Sequence, residues 1–398
     1  TEVSSFGLLA KWRKDLNDAV RSRVIVGVDL DHSPSSRREH KISLTSTLVG
    51  PNSLYTQYTG YTVGDPIYHY EVTYQSASPY LHFEMSPLPR IRLNAGLRYD
   101  HARYKMDNQR AAGFFTASGR TYYSPAEASA SFNRLSPKLG ATYALDSVHH
   151  AYLTYNQGFR TPSESQLFRG GRSASGGTQV SRQAEALALF QASSSLKAIK
   201  ADQAEIGLRG ASNQWNYDLV AYVLTKKDDL LSRRDETGYS VQTNNGTTEH
   251  RGIELGFGQG FSPQLRLDAA FSYAQHTYQD WVTSSENFSG KEIEASPRFL
   301  INARLTYRPS SAIMSQLEWV RIGSYYLDPA NTYGRYPGHH LFNLRASIAI
   351  TGQMTGFIRV MNLADERYAD SASQSSSAGG LYSPGLPRTI YAGLESRW

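Results

Sequence analysis

Two histidine pairs, His149–His150 and His339–His340, have the residue type for metal chemistry, because imidazole is a common ligand for transition metals. Their spacing argues against it. Neighbouring strand residues point to opposite faces, so an adjacent pair cannot readily chelate one ion. GFGQGF (Gly256–Phe261) has the glycine content of a phosphate loop. No helix follows it, so its glycines are expected to admit close backbone approach instead. The acidic pair Asp228–Asp229 reads as a solvated loop edge, and Asn245-Gly-Thr as a turn rather than a glycosylation acceptor. No nucleophile elbow and no Ser/His/acid ordering tied to a helix occurs. With no cysteine, thiolate chemistry, Cys-ligated metals and disulfides are excluded. Neither an enzyme nor a bound cofactor is expected.

The elements that carry these residues are strands. The chain has 398 residues, its mean hydropathy is −0.48, and no apolar run approaches the roughly 18 residues of a membrane helix. Tyrosine is abundant, 27 against 15 Phe and 5 Trp, as in strands and in the aromatic girdles of membrane barrels. Composition alone leaves a Tyr-rich soluble β-protein and an outer-membrane barrel both open. The net charge of +6 is scattered along the chain, so no nucleic-acid partner is expected. TEVSSFGLLAKWRKD has none of the parts of a signal peptide. An exported protein needs one, so it is expected to be cleaved or to lie upstream.

Alternation separates the two classes. In RIRLNAGLRYD, Ile91, Leu93, Ala95, Leu97 and Tyr99 oppose Arg92, Asn94, Gly96, Arg98 and Asp100. In FLINARLTYR, Ile301, Ala303, Leu305 and Tyr307 oppose Asn302, Arg304, Thr306 and Arg308. FNLRASIAIT divides likewise, and so do the segments around 24–30, 139–145, 253–257 and 265–273. A one-residue slip would turn mid-strand arginines toward lipid at roughly 2–4 kcal/mol each, so the register is fixed. The fold class is all-β, a transmembrane antiparallel β-barrel with an aqueous or plugged lumen.

Short turns at 16–18, 86–89, 145–147, 210–213, 262–263, 309–311 and 351–353 alternate with long Gly/Ser/Asn-rich loops. The loops span 33–69, 107–131, 160–196, 229–246, 280–292, 328–339 and 369–385. Short periplasmic turns and long outer loops are the outer-membrane pattern. Between them lie roughly 15 strands, an odd number for a barrel whose termini share one side. The expectation is a single barrel domain over residues 1–398, N-terminally incomplete.

Six segments, in order, resemble the C-terminal half of TonB-dependent outer-membrane receptors. They are NAGLRYDHARY (Asn94–Tyr104), LSPKLGATYALDSVHHAYLTYNQGFRTPSESQLF (Leu135–Phe168), LKAIKADQAEIGLRG (Leu196–Gly210), TEHRGIELGF (Thr248–Phe257), VMNLADERYAD (Val360–Asp370) and YSPGLPRTIYAGLESRW (Tyr382–Trp398). The family usually ends in Phe and this chain ends in Trp398. Trp398 still shares a face with Ile390, Ala392 and Leu394, so the signal read by the barrel-assembly machinery is expected to persist. The resemblance implies a barrel of roughly 22 strands closed by an N-terminal plug. Coupling to the TonB–ExbB–ExbD complex would run through that plug, which is not recognisable here. It also implies a Gram-negative outer-membrane location and a structural role for Asp365–Arg367, with Tyr368 in the outer girdle.

The function implied is active import, with ferric siderophores favoured. The haem-receptor sequence expected after a segment like FRTPSESQLF is missing. Haem and cobalamin remain alternative ligands, and a passive porin-like or plugless barrel is the alternative activity. Loop residues suited to an anionic, aromatic chelate are Arg120, Tyr122, Tyr123, Arg169, Arg172, Tyr325, Tyr326, Tyr333 and Arg335. The same residues could instead belong to the interfacial girdle or contact lipopolysaccharide phosphates beside outer-membrane lipid.

Overall fold

The computed structural model describes residues 2–397 apart from 50–54, 118, 174–175, 235–239, 284–285 and 376–378. In chain order the first strands are β1 (Glu2–Val3), β2 (Phe6–Asp15), β3 (Arg23–Val49), β4 (Tyr55–Leu88), β5 (Ile91–Asn108), β6 (Gly113–Ala117), β7 (Arg120–Ser124), β8 (Glu127–Ala144) and β9 (His149–Arg160). Helices α1 (Glu164–Phe168) and α2 (Gln179–Ser194) follow. Then come β10 (Ile199–Ala211), β11 (Trp215–Arg234), β12 (Ser240–Gly260), β13 (Leu265–Asp280), β14 (Phe299–Tyr307) and β15 (Ile313–Ile322). The last are β16 (Tyr325–Tyr326), β17 (Arg335–Tyr336), β18 (His339–Ala349), β19 (Met354–Met361), β20 (Ala369–Ser375), β21 (Gly379–Pro384) and β22 (Thr389–Ser396). Sixteen strands form one sheet, every pair antiparallel. Because β1 and β2 both pair with β3 on the side away from β4, the wall has fifteen positions. Among the described residues no pairing joins β2 to β22, so the wall is open between them.

The alternation places charge inside and hydrocarbon outside. On β5, Leu97 and Tyr99 are exposed outward, whereas Arg98 and Asp100 turn to the lumen. Arg98 pairs there with Asp29 of β3 and, at 2.7 Å, with Asp100. Further along the wall Arg304 pairs with Glu318 at 3.1 Å, and Asn343 donates to the same carboxylate at 3.0 Å. Beyond Tyr99 the polarity of the faces reverses: His101, Arg103 and Lys105 face outward, while Ala102 and Met106 are buried inside. We take the apolar stretch of the outward face as the membrane-spanning segment. On β5 it runs from Ile91 to Tyr99, matching the ~9–11 residues an oblique strand needs.

Short polar side chains build the turns at the other end. Asp18 accepts from the Ser22 N–H at 2.8 Å, and Asp146 from those of Val148 and His149, both at 2.8 Å. Ser212, Ser262 and Thr351 do the same for Trp215, Leu265 and Met354. Satisfying backbone donors with a neighbouring side chain is what lets Asp, Ser and Thr close a tight turn. The N–H groups of Val148 and His149, with the His149 ring, hold the Asp146 carboxyl down to about 2.

Four expectations need correction. Much of 33–69 and 229–246 is not irregular loop but two ribbons continuing β3–β4 and β11–β12 beyond the membrane. Ile42 pairs with Val63 and Leu44 with Tyr61, with Ser43–Thr62 between them, and β-branched Thr and Val sustain such strands where Gly and Ser suggested loops. Asn245 lies within β12 rather than at a turn. Asp229 is a half-buried acceptor for the Thr248 hydroxyl at 3.0 Å, not a solvated edge. Tyr368 packs on His339, which is buried, with ring centroids 4.5 Å apart, so it turns inward instead of joining the girdle.

The histidine pairs behave as strand geometry requires. His340 stacks on Trp319 at 6.0 Å, whereas His339 is 5% exposed and accepts from Tyr336. His149 stacks on Trp215 while His150 lines a hollow with Arg209 and Asp218. In GFGQGF, a Cβ on Gly258 would run into Asn216 and Arg266, while Gly256 faces open space.

Candidate ligand-binding rim

The outer end of the wall is lined by loops that fold inward, and the nine candidate residues divide between two loop groups. In the first, hairpin β6–β7 and helices α1 and α2 fill the rim above β4, β5 and β8. Helix α1 starts at the FRTPSE segment, where Ser163 and Gln166 form a reciprocal capping box. Leu167 and Phe168 then insert among Tyr70, Val72, Met106 and Leu196. Burial of that cluster is why the luminal face above the membrane is apolar.

Within this group, Tyr122 is 4% exposed, stacked on Phe115 at 5.0 Å and edge-on to Tyr68 at 6.2 Å. Tyr123 leans on Phe114 and Phe190, at 5.2 and 5.3 Å. Arg120 donates to the Ser173 carbonyl at 3.1 Å, and Arg172 makes a bridge opposite Tyr122. Gly171 passes so close to α2 that a Cβ would sit 3.0 Å from Phe190 and 3.1 Å from the Tyr123 carbonyl. Arg169 is anchored on the wall. It donates to Tyr70 at 2.7 Å, to Glu164 at 2.9 Å and to Glu39 at 3.3 Å. Burial and Glu164 push the Tyr70 phenol up, so it stays protonated and can donate to Glu164.

The second group joins the loops between β13 and β14, β15 and β18, and β19 and β22. Tyr325 is 8% exposed, and its hydroxyl accepts from the Ala372 N–H at 3.0 Å. Tyr336 accepts from the Ala369 N–H at 3.1 Å and donates to His339 Nδ1 at 2.8 Å. Two hydroxyls thereby tie hairpin β20–β21 to the preceding loop. Asp328, 4% exposed, accepts from the N–H groups of Thr332 and Tyr333 at 3.0 and 2.9 Å and shapes the segment between them. That segment presents Tyr333, 46% exposed, and Arg335, also exposed. The Arg335 guanidinium lies over the Tyr326 ring at 4.0 Å and 3.6 Å from Glu292. Glu292 also binds Arg298, and Asn331 holds its backbone at both N–H and C=O, each at 2.8 Å.

Six candidates therefore do structural work: Tyr122 and Tyr325 are buried, Arg169 is committed to the wall, and Arg120, Tyr123 and Arg172 are half-buried in contacts between the loops. Tyr333 and Arg335 stay exposed, and Arg335 covers a half-buried Tyr326 while pairing with Glu292. Glu292, Tyr336 and Tyr70 escaped the sequence reading because their partners come from other loops. Among the described residues no three His, Cys, Asp or Glu side chains converge as a metal cage.

Comparison with known proteins agrees with this architecture. A family model described as TonB dependent receptor-like, beta-barrel, matches residues 9–363. The ferric yersiniabactin uptake receptor FyuA from Yersinia pestis is 14% identical, with a TM-score of 0.68, 99% of this chain covered and 54% of that one. For the siderophore receptor PiuA from Acinetobacter baumannii the values are 16%, 0.73, 99% and 56%. For the ferric-catecholate import receptor Fiu from K12 E. coli, in its closed form, they are 16%, 0.71, 99% and 55%. The chain thus spans little more than half the length of these structures, and at such identities the likeness is one of fold. Matched over most of its length by the family model, the chain belongs to the TonB-dependent receptor-like β-barrel family.

Proposed function

We propose that this chain supplies the wall and the outer binding loops of an outer-membrane importer for ferric siderophores. The observation that carries the reading is the exposed pair Tyr333 and Arg335, the latter stacked on Tyr326. A guanidinium stacked on an aromatic ring offers a permanent charge and planar donors to carboxylate or catecholate oxygens. The fold neighbours named as a ferric yersiniabactin uptake receptor, a ferric-catecholate import receptor and a siderophore receptor support the same ligand class.

Uptake is read as energised, with coupling to TonB–ExbB–ExbD through a plug in the lumen. The luminal wall is charged along its length, as at Arg98–Asp29 and Arg304–Glu318, which suits a polar domain or water. Outside, the membrane segment carries an apolar face toward lipid. Above it His101, Arg103 and Lys105 suit the phosphates of lipopolysaccharide. Trp398, read as the signal for the barrel-assembly machinery, lies outside the described residues. Import by this route makes and breaks no covalent bond.

The test is growth under iron limitation with single ferric siderophores as the iron source, before and after deletion of the gene. Loss of growth on one siderophore, reproduced by deletion of tonB, is the expected result. Unchanged growth on every siderophore offered would sink the reading, and loss of uptake that persists without TonB would favour a passive pore.

A further inference from the structure

We propose that His250 and His276 form a two-nitrogen site for an imidazole-preferring divalent transition metal, of the Cu2+, Ni2+ or Zn2+ class, on the luminal wall. The site goes beyond the siderophore reading, because wall register alone creates it. The two residues are directly paired on β12 and β13. Their outward neighbours are Arg251 and Gln275, also directly paired, and the apolar outward face begins below them at Ile253 and Tyr273. The histidines therefore face the lumen just above the membrane-spanning segment.

Their Nδ1 atoms are 2.8 Å apart, with ring centroids at 5.0 Å. Two nitrogens bound side by side to one metal at about 2.0–2.1 Å stand roughly 3 Å from each other. A metal can thus take the place of this hydrogen bond with little movement of either strand, once both rings turn toward it and His276 passes its Nδ1 proton to Nε2 through water. Hydrogen bonding fixes the His250 tautomer in the required sense, and leaves the proton of the shared bond on His276 Nδ1. The Thr248 hydroxyl donates to Asp229 at 3.0 Å, so it accepts from His250 Nε2–H at 3.3 Å. That leaves His250 Nδ1 as a bare lone pair aimed at His276. A carboxylate orienting an imidazole through its far nitrogen is a recurring support for metal ligands.

The surrounding charges are Lys226 and Asp229 on β11, 4.0 Å from each other, and Glu292 from the loop after β13. Burial and Lys226 hold both imidazoles below their ordinary range, His250 at about 4, so protons do not compete at neutral pH. Two protein nitrogens leave the other coordination positions to water or to a donor arriving from the lumen.

The test uses the untagged protein in detergent and Cu2+ alone as the probe. Electron paramagnetic resonance is expected to show one bound Cu2+ with two nitrogen couplings, lost in His250→Gln and in His276→Gln. Thr248→Val, which keeps both imidazoles, should weaken binding about tenfold, while His150→Gln and His340→Gln leave it unchanged. Copper with ascorbate should oxidise His250 and His276 in the unmodified protein, read by mass spectrometry, which requires no variant to fold. Absence of bound Cu2+, or oxidation concentrated at other histidines, overturns the proposal.

Discussion

Arg169 Nε donates to the Tyr70 hydroxyl at 2.7 Å, and through this bond helix α1 is held to the luminal face of β4. Glu39 and Glu164 complete the network, so the guanidinium is balanced by two carboxylates at the point where the loop leaves the wall. The GFRTPS segment reads accordingly as the start of an anchor: a strand end and a helix cap, followed by the half-buried ion pairs of Arg169.

Breaking that anchor should loosen the loop without opening the wall. For Arg169→Met we expect a loss of roughly 2–3 kcal/mol in the local stability of residues 160–196, as for hydrogen bonds to charged groups. Hydrogen exchange of peptides from α1 and α2 should accelerate tens-fold, while peptides of β5 and β8 stay protected. Unchanged exchange over α1 would show that apolar packing alone holds the helix.

The membrane boundary predicts where a charge is tolerated. Ala95 faces outward at the middle of the spanning segment, and Ala95→Arg should cost about 2–4 kcal/mol in denaturant unfolding from micelles. Gln75, opposite Arg103 above the reversal of polarity, should accept Gln75→Arg with little change. Equal costs at the two positions would place the boundary elsewhere.

At the second loop group, Tyr336→Phe removes both the acceptor for Ala369 N–H and the donor to His339. The expected cost is about 1–3 kcal/mol, because a buried N–H and a buried ring nitrogen lose their partner. Limited proteolysis should then cut hairpin β20–β21 sooner than in the wild type. An unchanged cleavage rate would contradict the tie.

Acid should weaken the extension of β12 and β13. His250 is held to about 4 and His276 is also lowered, both by burial first and then by Lys226. For a base lowered by folding, the stability is whole above the unfolded value near 6.5. It declines as pH falls from there and reaches its lower level once pH passes about 4. Relative to a His250→Gln, His276→Gln variant, the wild type should lose heat stability across that window. Parallel curves for the two proteins would contradict it.

The wall was legible because its two faces meet different solvents, so Leu97 and Arg98 could not exchange places. The short turns were legible because Asp146, Ser262 and Thr351 bond their own backbone, a property of three or four consecutive residues. Contacts between loops were not. Nothing near Tyr325 reveals that Ala372 lies on it, and nothing near Asp229 reveals Thr248. Hairpin symmetry could have found one missed pair: His250 and His276 are equidistant from Pro263, in the turn joining their strands. The two ribbons were hidden because Ser and Gly in 33–69 suggested loop where Thr, Val and Tyr were setting a strand.

Capture of a ferric chelate by the open rim face is most directly read from fluorescence. Trp281 packs with Phe288 and against Ala330, in the loop group that presents Tyr333 and Arg335, and serves as reporter. Titrating the detergent-solubilised protein with ferric catecholate, hydroxamate and citrate chelates should give saturable quenching by one class. A Tyr333→Ala, Arg335→Ala variant should bind that chelate at least about tenfold more weakly, as loss of a charged contact implies. Quenching by none of the three, or identical titrations for variant and wild type, would contradict the account.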